Sequence, residues 1–265
     1  MTSRHGHGHR HVHENPQRTL VKICGIRTPE HATAAVEAGA DFIGLVFYPP
    51  SHRVVSIVEA QSVVAAIRAA DTIGRVRTVG LFVNERADVI HATADAVGLD
   101  LLQLSGDEPP ELISTLNRPV LQMLRVDSSG RTDEQRTLER ITAAGPNLHA
   151  VLVDAHVPGM YGGTGTLADW FVAADLARQT PVMLAGGLTV ENVGRAMRSV
   201  RPFAVDVSTG VEINKVKDVE RIRGFIAAVR AADVELAESY AGGHAVPLAP
   251  TTSPAIAITS GKAHR

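Results

Sequence analysis

The chain has one cysteine, one tryptophan and few aromatics of any kind, 4% of its 265 residues. A single cysteine, Cys24, excludes an intrachain disulfide, so stability has to come from a buried core. The scarcity of aromatics and a formal net charge of −2 leave neither a stacking platform nor a basic footprint, which argues against nucleic acid as a partner. No run is long and apolar enough to span a bilayer, and the first residues lack the apolar stretch of a secretory signal. No membrane partner is therefore expected, and cytoplasm is the expected compartment. Against these absences stand 45% hydrophobic and 20% charged residues. That balance, at this length, suits one α/β barrel.

Both ends are compositionally separate. In residues 1–18, His5, His7, His9, His11 and His13 alternate with Gly, Arg and Val, and residues 233–265 are rich in Ala, Pro, Ser and Thr. The sequence reads as two disordered tails around a single domain of residues 19–232. The head is open to two readings: a solvated tail, or a transition-metal binder through its imidazoles.

Between the tails, short β-branched runs alternate with amphipathic windows. Strand-like runs lie at Leu20–Cys24, Asp41–Phe47, Arg77–Val83, Leu99–Leu104, Val120–Leu124, Ala150–Asp154, Val182–Ala185 and Ala204–Val207. Helical windows follow from near Pro29, Ile57, Arg86, Pro109, Thr132, Leu167, Val190 and Asp218, with Thr28-Pro29 as N-cap and N1 and Thr189 as a further N-cap. Runs such as Phe42-Ile43-Gly44-Leu45-Val46-Phe47 are apolar on both faces, as parallel strands covered by helices require. Eight βα units predict an α/β fold of the (β/α)8 TIM-barrel class. A doubly wound open sheet is the alternative, but it needs a reversal of strand order that this even series does not announce.

In such a barrel the chemistry sits on the loops after the strands. Cys24-Gly25 end the first strand and Asp154 ends the sixth. Gly186 and Gly187 follow the seventh strand, and Ser208, Thr209 and Gly210 follow the eighth. Glycines and hydroxyls on these two last, adjacent loops predict a phosphate site, because backbone N–H groups can approach anionic oxygens closely there. Bare turn chemistry is the competing reading. Asp154 closes an apolar run, where partial desolvation suits a general acid; a loop-anchoring or capping aspartate would look the same. Lys22 lies two residues before Cys24 and so on the same strand face. An inward lysine needs a partner, and Asp206 on the neighbouring eighth strand is the expected one. Cys24 is open to inert packing or, with positive potential nearby, to service as a thiolate.

Further segments carry a resemblance. Lys22-Ile23-Cys24-Gly25-Ile26, Gly44 to Arg53, Gly80-Leu81-Phe82-Val83-Asn84, Gln103-Leu104 with Gly106, Asp154, Gly162-Gly163-Thr164-Gly165, Ala185-Gly186-Gly187-Leu188 with Glu191-Asn192, and Arg201 to Glu212 are similar, in order, to the signatures of the phosphoribosylanthranilate isomerase family. The resemblance covers about residues 19–230 and excludes both tails.

The resemblance implies an aldose–ketose isomerase of tryptophan biosynthesis that performs an Amadori rearrangement on a small sugar phosphate. Cys24 would be the general base, Asp154 the general acid and Arg53 the ligand of the anthranilate carboxylate. It implies no organic cofactor and no metal, and leaves monomer and homodimer both open. Several positions depart from the family pattern. Ser105 stands where a histidine is usual, Leu124 where a basic residue is common, Thr166-Leu167-Ala168 lacks a phenylalanine, and Val216 replaces a glycine. Two other readings stay beside it. One is a barrel isomerase or epimerase for another sugar phosphate; the other is a non-catalytic metal-binding barrel that uses its His-rich head.

Overall fold

Eight parallel strands close on themselves in sequence order, each hydrogen-bonded to the next and β8 returning to β1. They are β1 (Leu20–Cys24), β2 (Phe42–Val46), β3 (Arg77–Phe82), β4 (Leu101–Leu104), β5 (Val120–Arg125), β6 (Leu148–Asp154), β7 (Val182–Ala185) and β8 (Ala204–Val207). The computed structural model describes residues 18–125, 138–143, 145–154 and 167–241. The expected head up to residue 17, the helix start at Thr132, the glycine-rich stretch Gly162–Gly165 and Thr166 lie outside the described residues. The closed order settles the choice against an open doubly wound sheet.

Period-two alternation divides the apolar residues into two cores. Phe42, Val79, Leu101, Leu121, Leu152, Met183 and Ala204 fill the barrel interior, while Ile43, Leu45, Leu102, Val151, Val205 and their neighbours face the helices. This is why the strands read as continuous apolar runs. A register shift at Val120/Leu121 lets β6 fit one extra residue opposite β5. It brings His149 into edge contact with Phe42 and Phe203.

The helices are α1 (Pro29–Ala38), α2 (Ile57–Ala70), α3 (Ala87–Val97), α4 (Glu111–Thr115), α5 (helical residues 138–143), α6 (Leu167–Ala177), α7 (Val193–Val200) and α8 (Val219–Ala241). Local chemistry sets several ends. Thr28 accepts from the His31 amide with Pro29 in the first turn, and Ser56 and Glu59 form a reciprocal capping box. Thr189 is not the N-cap expected of it. Its carbonyl accepts from the Asn192 and Val193 amides, so a turn precedes α7 and the helix begins three residues later than a capping threonine would start it. No helix among the described residues is long and apolar enough to cross a membrane.

Both tail boundaries shift. Arg18 is held by the side chain of Asp41, which places it with the barrel. At the other end α8 continues through residues 233–241, because its last turns have contacts with the barrel to make. Asp233 accepts from the Thr19 amide at 3.1 Å and from Arg230, and Leu236 packs on the outer core. Residues from 242 onward lie outside the described residues. A short addition to the eightfold pattern stands on the C-terminal rim. After β8 a 3₁₀ turn (Thr209–Val211) leads into an antiparallel hairpin of β9 (Glu212–Ile213) and β10 (Val216–Lys217).

Candidate active site

The C-terminal rim of the barrel gathers the residues singled out from the sequence. Alternation along β1 puts Leu20, Lys22 and Cys24 on the inner face, since Leu20 packs against the interior cluster. Asp154 shares the inner face of β6 with Ala150 and Leu152. Base and acid candidates therefore stand on the same rim, on strands separated by β7 and β8.

Lys22 is fully buried, and its Nζ donates to Asp206 Oδ1 at 3.0 Å. The pair is fixed by register, Lys22 lying opposite Asp206 across β1 and β8. Burial alone would lower the lysine pKa, but the Asp206 carboxylate and Cys24 raise it above its ordinary value. Cys24 is a free cysteine, 6% exposed. Gly44 on β2 makes room for both side chains: a Cβ there would lie 3.0 Å from Cys24 Sγ and 3.1 Å from Lys22 Nζ. A buried cation thus sits beside the thiol, as the spacing of two predicts.

Loops seven and eight touch each other. Gly186 and Gly187 both have left-handed φ, 87° and 60°, a conformation in which side chains with a Cβ are strained. Asn192 braces this loop, its amide donating to the Gly187 carbonyl and its Oδ1 accepting from the Thr189 amide. Gly210 abuts it so closely that a Cβ would come 2.0 Å from the Leu188 carbonyl oxygen. Packing therefore demands that glycine whatever else it does. Among the described residues, no hydrogen bond uses the amides of Gly186, Gly187, Thr209 or Gly210. These donors border one patch of the rim. Ser208 Oγ donates to the Cys24 carbonyl at 3.1 Å and ties loop eight to the end of β1.

Arg53 is not the free, solvated arginine that a loop position suggests. Its stem crosses Gly25, where a Cβ would meet Arg53 Cδ at 2.4 Å. Its Nε and Nη2 bind Glu212 at 2.7 and 2.8 Å, and Nη2 also donates to Thr209 Oγ1 at 3.1 Å. Glu212 in turn accepts from Lys217 Nζ at 2.8 Å, and that ammonium also donates to the Ser208 carbonyl and hydroxyl. Burial would raise the Glu212 pKa, but hydrogen bonds and charge from Arg53 and Lys217 hold it at about 2. Burial pushes Lys217 below the ordinary lysine value, with Glu212 opposing.

Glu212 and Lys217 are the residues that sequence reasoning missed as site members. The available signal was the hairpin: Asn214 and Lys215, both at positive φ, form a two-residue turn that sets the flanking acid and base opposite each other. Of the departures, Ser105 is buried and its Oγ accepts from Gln103 Nε2 at 2.9 Å. Leu124 packs in the outer core, and the basic residue of β5 comes one position later, Arg125 lying in register with Asp154. Val216 is 57% exposed on the hairpin, where a side chain costs nothing sterically. Among the described residues no three His, Cys, Asp or Glu side chains converge as a metal site.

The family model for N-(5'-phosphoribosyl)anthranilate (PRA) isomerase matches residues 21–228. The chain belongs to the phosphoribosylanthranilate isomerase family. A member from Roseiflexus sp. (strain RS-1) is 50% identical over 217 residues, 80% of this chain and 98% of the relative. The crystal structure of the phosphoribosyl anthranilate isomerase from Thermotoga maritima superposes with a TM-score of 0.69 at 36% identity, covering 80% of this chain and 99% of that one. A structure of the same enzyme type in complex with reduced 1-(o-carboxyphenylamino)-1-deoxyribulose 5-phosphate has a TM-score of 0.66 at 34% identity, over 80% of this chain and 99% of the other. The family match begins in β1 and ends in α8, so it spans every element of the barrel.

Proposed function

We propose that this chain isomerises N-(5'-phosphoribosyl)anthranilate to 1-(2-carboxyphenylamino)-1-deoxyribulose 5-phosphate, the Amadori step of tryptophan biosynthesis, with Cys24 as general base and Asp154 as general acid. The observation that carries the assignment of roles is their placement on the inner face of one barrel rim. Asp154 protonates the furanose ring oxygen, and the ring opens to an iminium that serves as electron sink. Cys24 then removes the C2 proton, giving an enolamine that tautomerises to the aminoketose. Approaching from β1 and β6, the two groups reach the sugar from different sides.

Binding is divided around the rim. The amides of Gly186, Gly187 and Gly210 and the Thr209 hydroxyl receive the phosphate, while the Ser208 hydroxyl, its proton given to the Cys24 carbonyl, holds loop eight against β1. Asp206 offers its second carboxylate oxygen to a sugar hydroxyl, Lys22 holding the first. Arg53 binds the anthranilate carboxylate through its remaining donors. Ring opening and C2 deprotonation each move a proton between the substrate and a side chain of this chain, and the cytoplasm, where thiols stay reduced, is the compartment that suits Cys24.

Turnover is followed by the loss of anthranilate-amine fluorescence with freshly prepared substrate. Cys24→Ser and Asp154→Asn are each expected to lower kcat by at least about a hundredfold, while the thermal midpoint stays close to that of the parent. Full turnover in either variant removes that residue from the mechanism.

A further inference from the structure

The trio of half-buried Arg53 with buried Glu212 and Lys217 is more elaborate than carboxylate binding by one arginine requires. We propose that Glu212 is a positioning residue that sets Arg53: it occupies the Nε/Nη2 side of the guanidinium and so aims the Nη1 protons at the ring carboxylate of the substrate. This inference rests on Arg53 being the ligand of that carboxylate.

Arg53 stands on the loop after β2, and a long side chain there would lose rotamer freedom on meeting a ligand. Here that freedom is already gone. Two bonds to Glu212 and one to Thr209 use Nε and both Nη2 protons, whereas Nη1 donates to no described residue. Glu212 is itself immobilised, its side chain 3% exposed and paired with Lys217 at 2.8 Å. The hairpin register sets Lys217 opposite Glu212, and Lys217 is anchored to Ser208. Two cations against one carboxylate leave the trio with a net positive charge, so Glu212 orients Arg53 without cancelling its attraction for an anion. Because both Glu212 oxygens are engaged by cations, the group is poorly placed to accept a substrate proton.

The test separates orientation from general structural support by using two ligands on the full chain. One is reduced 1-(o-carboxyphenylamino)-1-deoxyribulose 5-phosphate; the other is the same molecule without the ring carboxylate. Titration calorimetry of Glu212→Gln is expected to show affinity for the first falling about tenfold, with affinity for the second unchanged, since a neutral amide replaces charge-assisted bonds to Arg53. Equal losses for both ligands, or none for either, overturn the proposal. If Glu212→Gln fails to fold because Lys217 is left buried without its counter-ion, the double variant Glu212→Gln/Lys217→Met is titrated in its place with the same expectations. Arg53→Lys is measured in parallel. If it too loses affinity selectively for the carboxylate ligand while Glu212→Gln does not, only the role of Glu212 falls. If Arg53→Lys loses nothing selectively, the assignment of Arg53 falls and this inference with it.

Discussion

Single side chains on the rim act through their neighbours more than through their own chemistry. Cys24 stands in the core with the Lys22 ammonium beside it and the bare Cα of Gly44 opposite. Lys22 stays charged in a fully buried position because Asp206 is held in register with it. Glu212 has a signature in bulk stability. Its pKa falls from 4.5 to about 2 on folding, so the unfolded chain binds the proton more readily than the native one. Its contribution is therefore complete above pH 4.5 and lost as pH falls towards 2. Denaturant titrations at steps across that window should show parent stability declining more steeply than that of Glu212→Gln. Parallel declines would mean that the ion pairs with Arg53 and Lys217 do not persist in solution.

Elements fix where those side chains stand, and they do so by contacts that sequence spacing does not display. Loops seven and eight form one surface because Gly210 lies against the Leu188 carbonyl. Gly210→Ala has no room for its methyl group and must push the loops apart. A loss of about 1–3 kcal/mol in unfolding free energy is expected, with weaker inhibition by inorganic phosphate. Unchanged phosphate inhibition would place the anion elsewhere on the rim. The hairpin of β9 and β10 is the other element with a positional task. Its two-residue turn has polar Asn214 and Lys215 at left-handed φ, and its paired strands bring an acid and a base together beneath Arg53. The onset of α7 illustrates the limit of capping rules. Thr189 has the right residue type, but its carbonyl is engaged in a preceding turn, and hydrogen-bond geometry rather than residue preference decides the first helical residue.

At the scale of the whole molecule the barrel is closed by its last helix as well as by its strands. α8 reaches back to the start of β1 through Asp233, Arg230 and Thr19. A chain ending at Ala232 should be less stable than one ending at Ala241 by about 2 kcal/mol, roughly 4–8 °C in thermal midpoint. Equal midpoints would show those contacts to be superficial. The sequence by itself determined the eight strands, the common face of Lys22 and Cys24, the Lys22–Asp206 pair and the positions of Cys24 and Asp154 at strand ends. Each of these follows from short-range periodicity and from the fixed order of strands in a closed sheet. The tertiary structure alone decided that Arg53 is bound rather than free, that Glu212 pairs with both Arg53 and Lys217 on the rim, that Gly210 is required by packing, and that the helical segment 233–241 belongs to the barrel. Those outcomes depend on residues far apart in the chain, such as Arg53 with Glu212 and Thr19 with Asp233, meeting in space. Residue type and periodicity state what a side chain can do, and only the closed barrel states which partner reaches it.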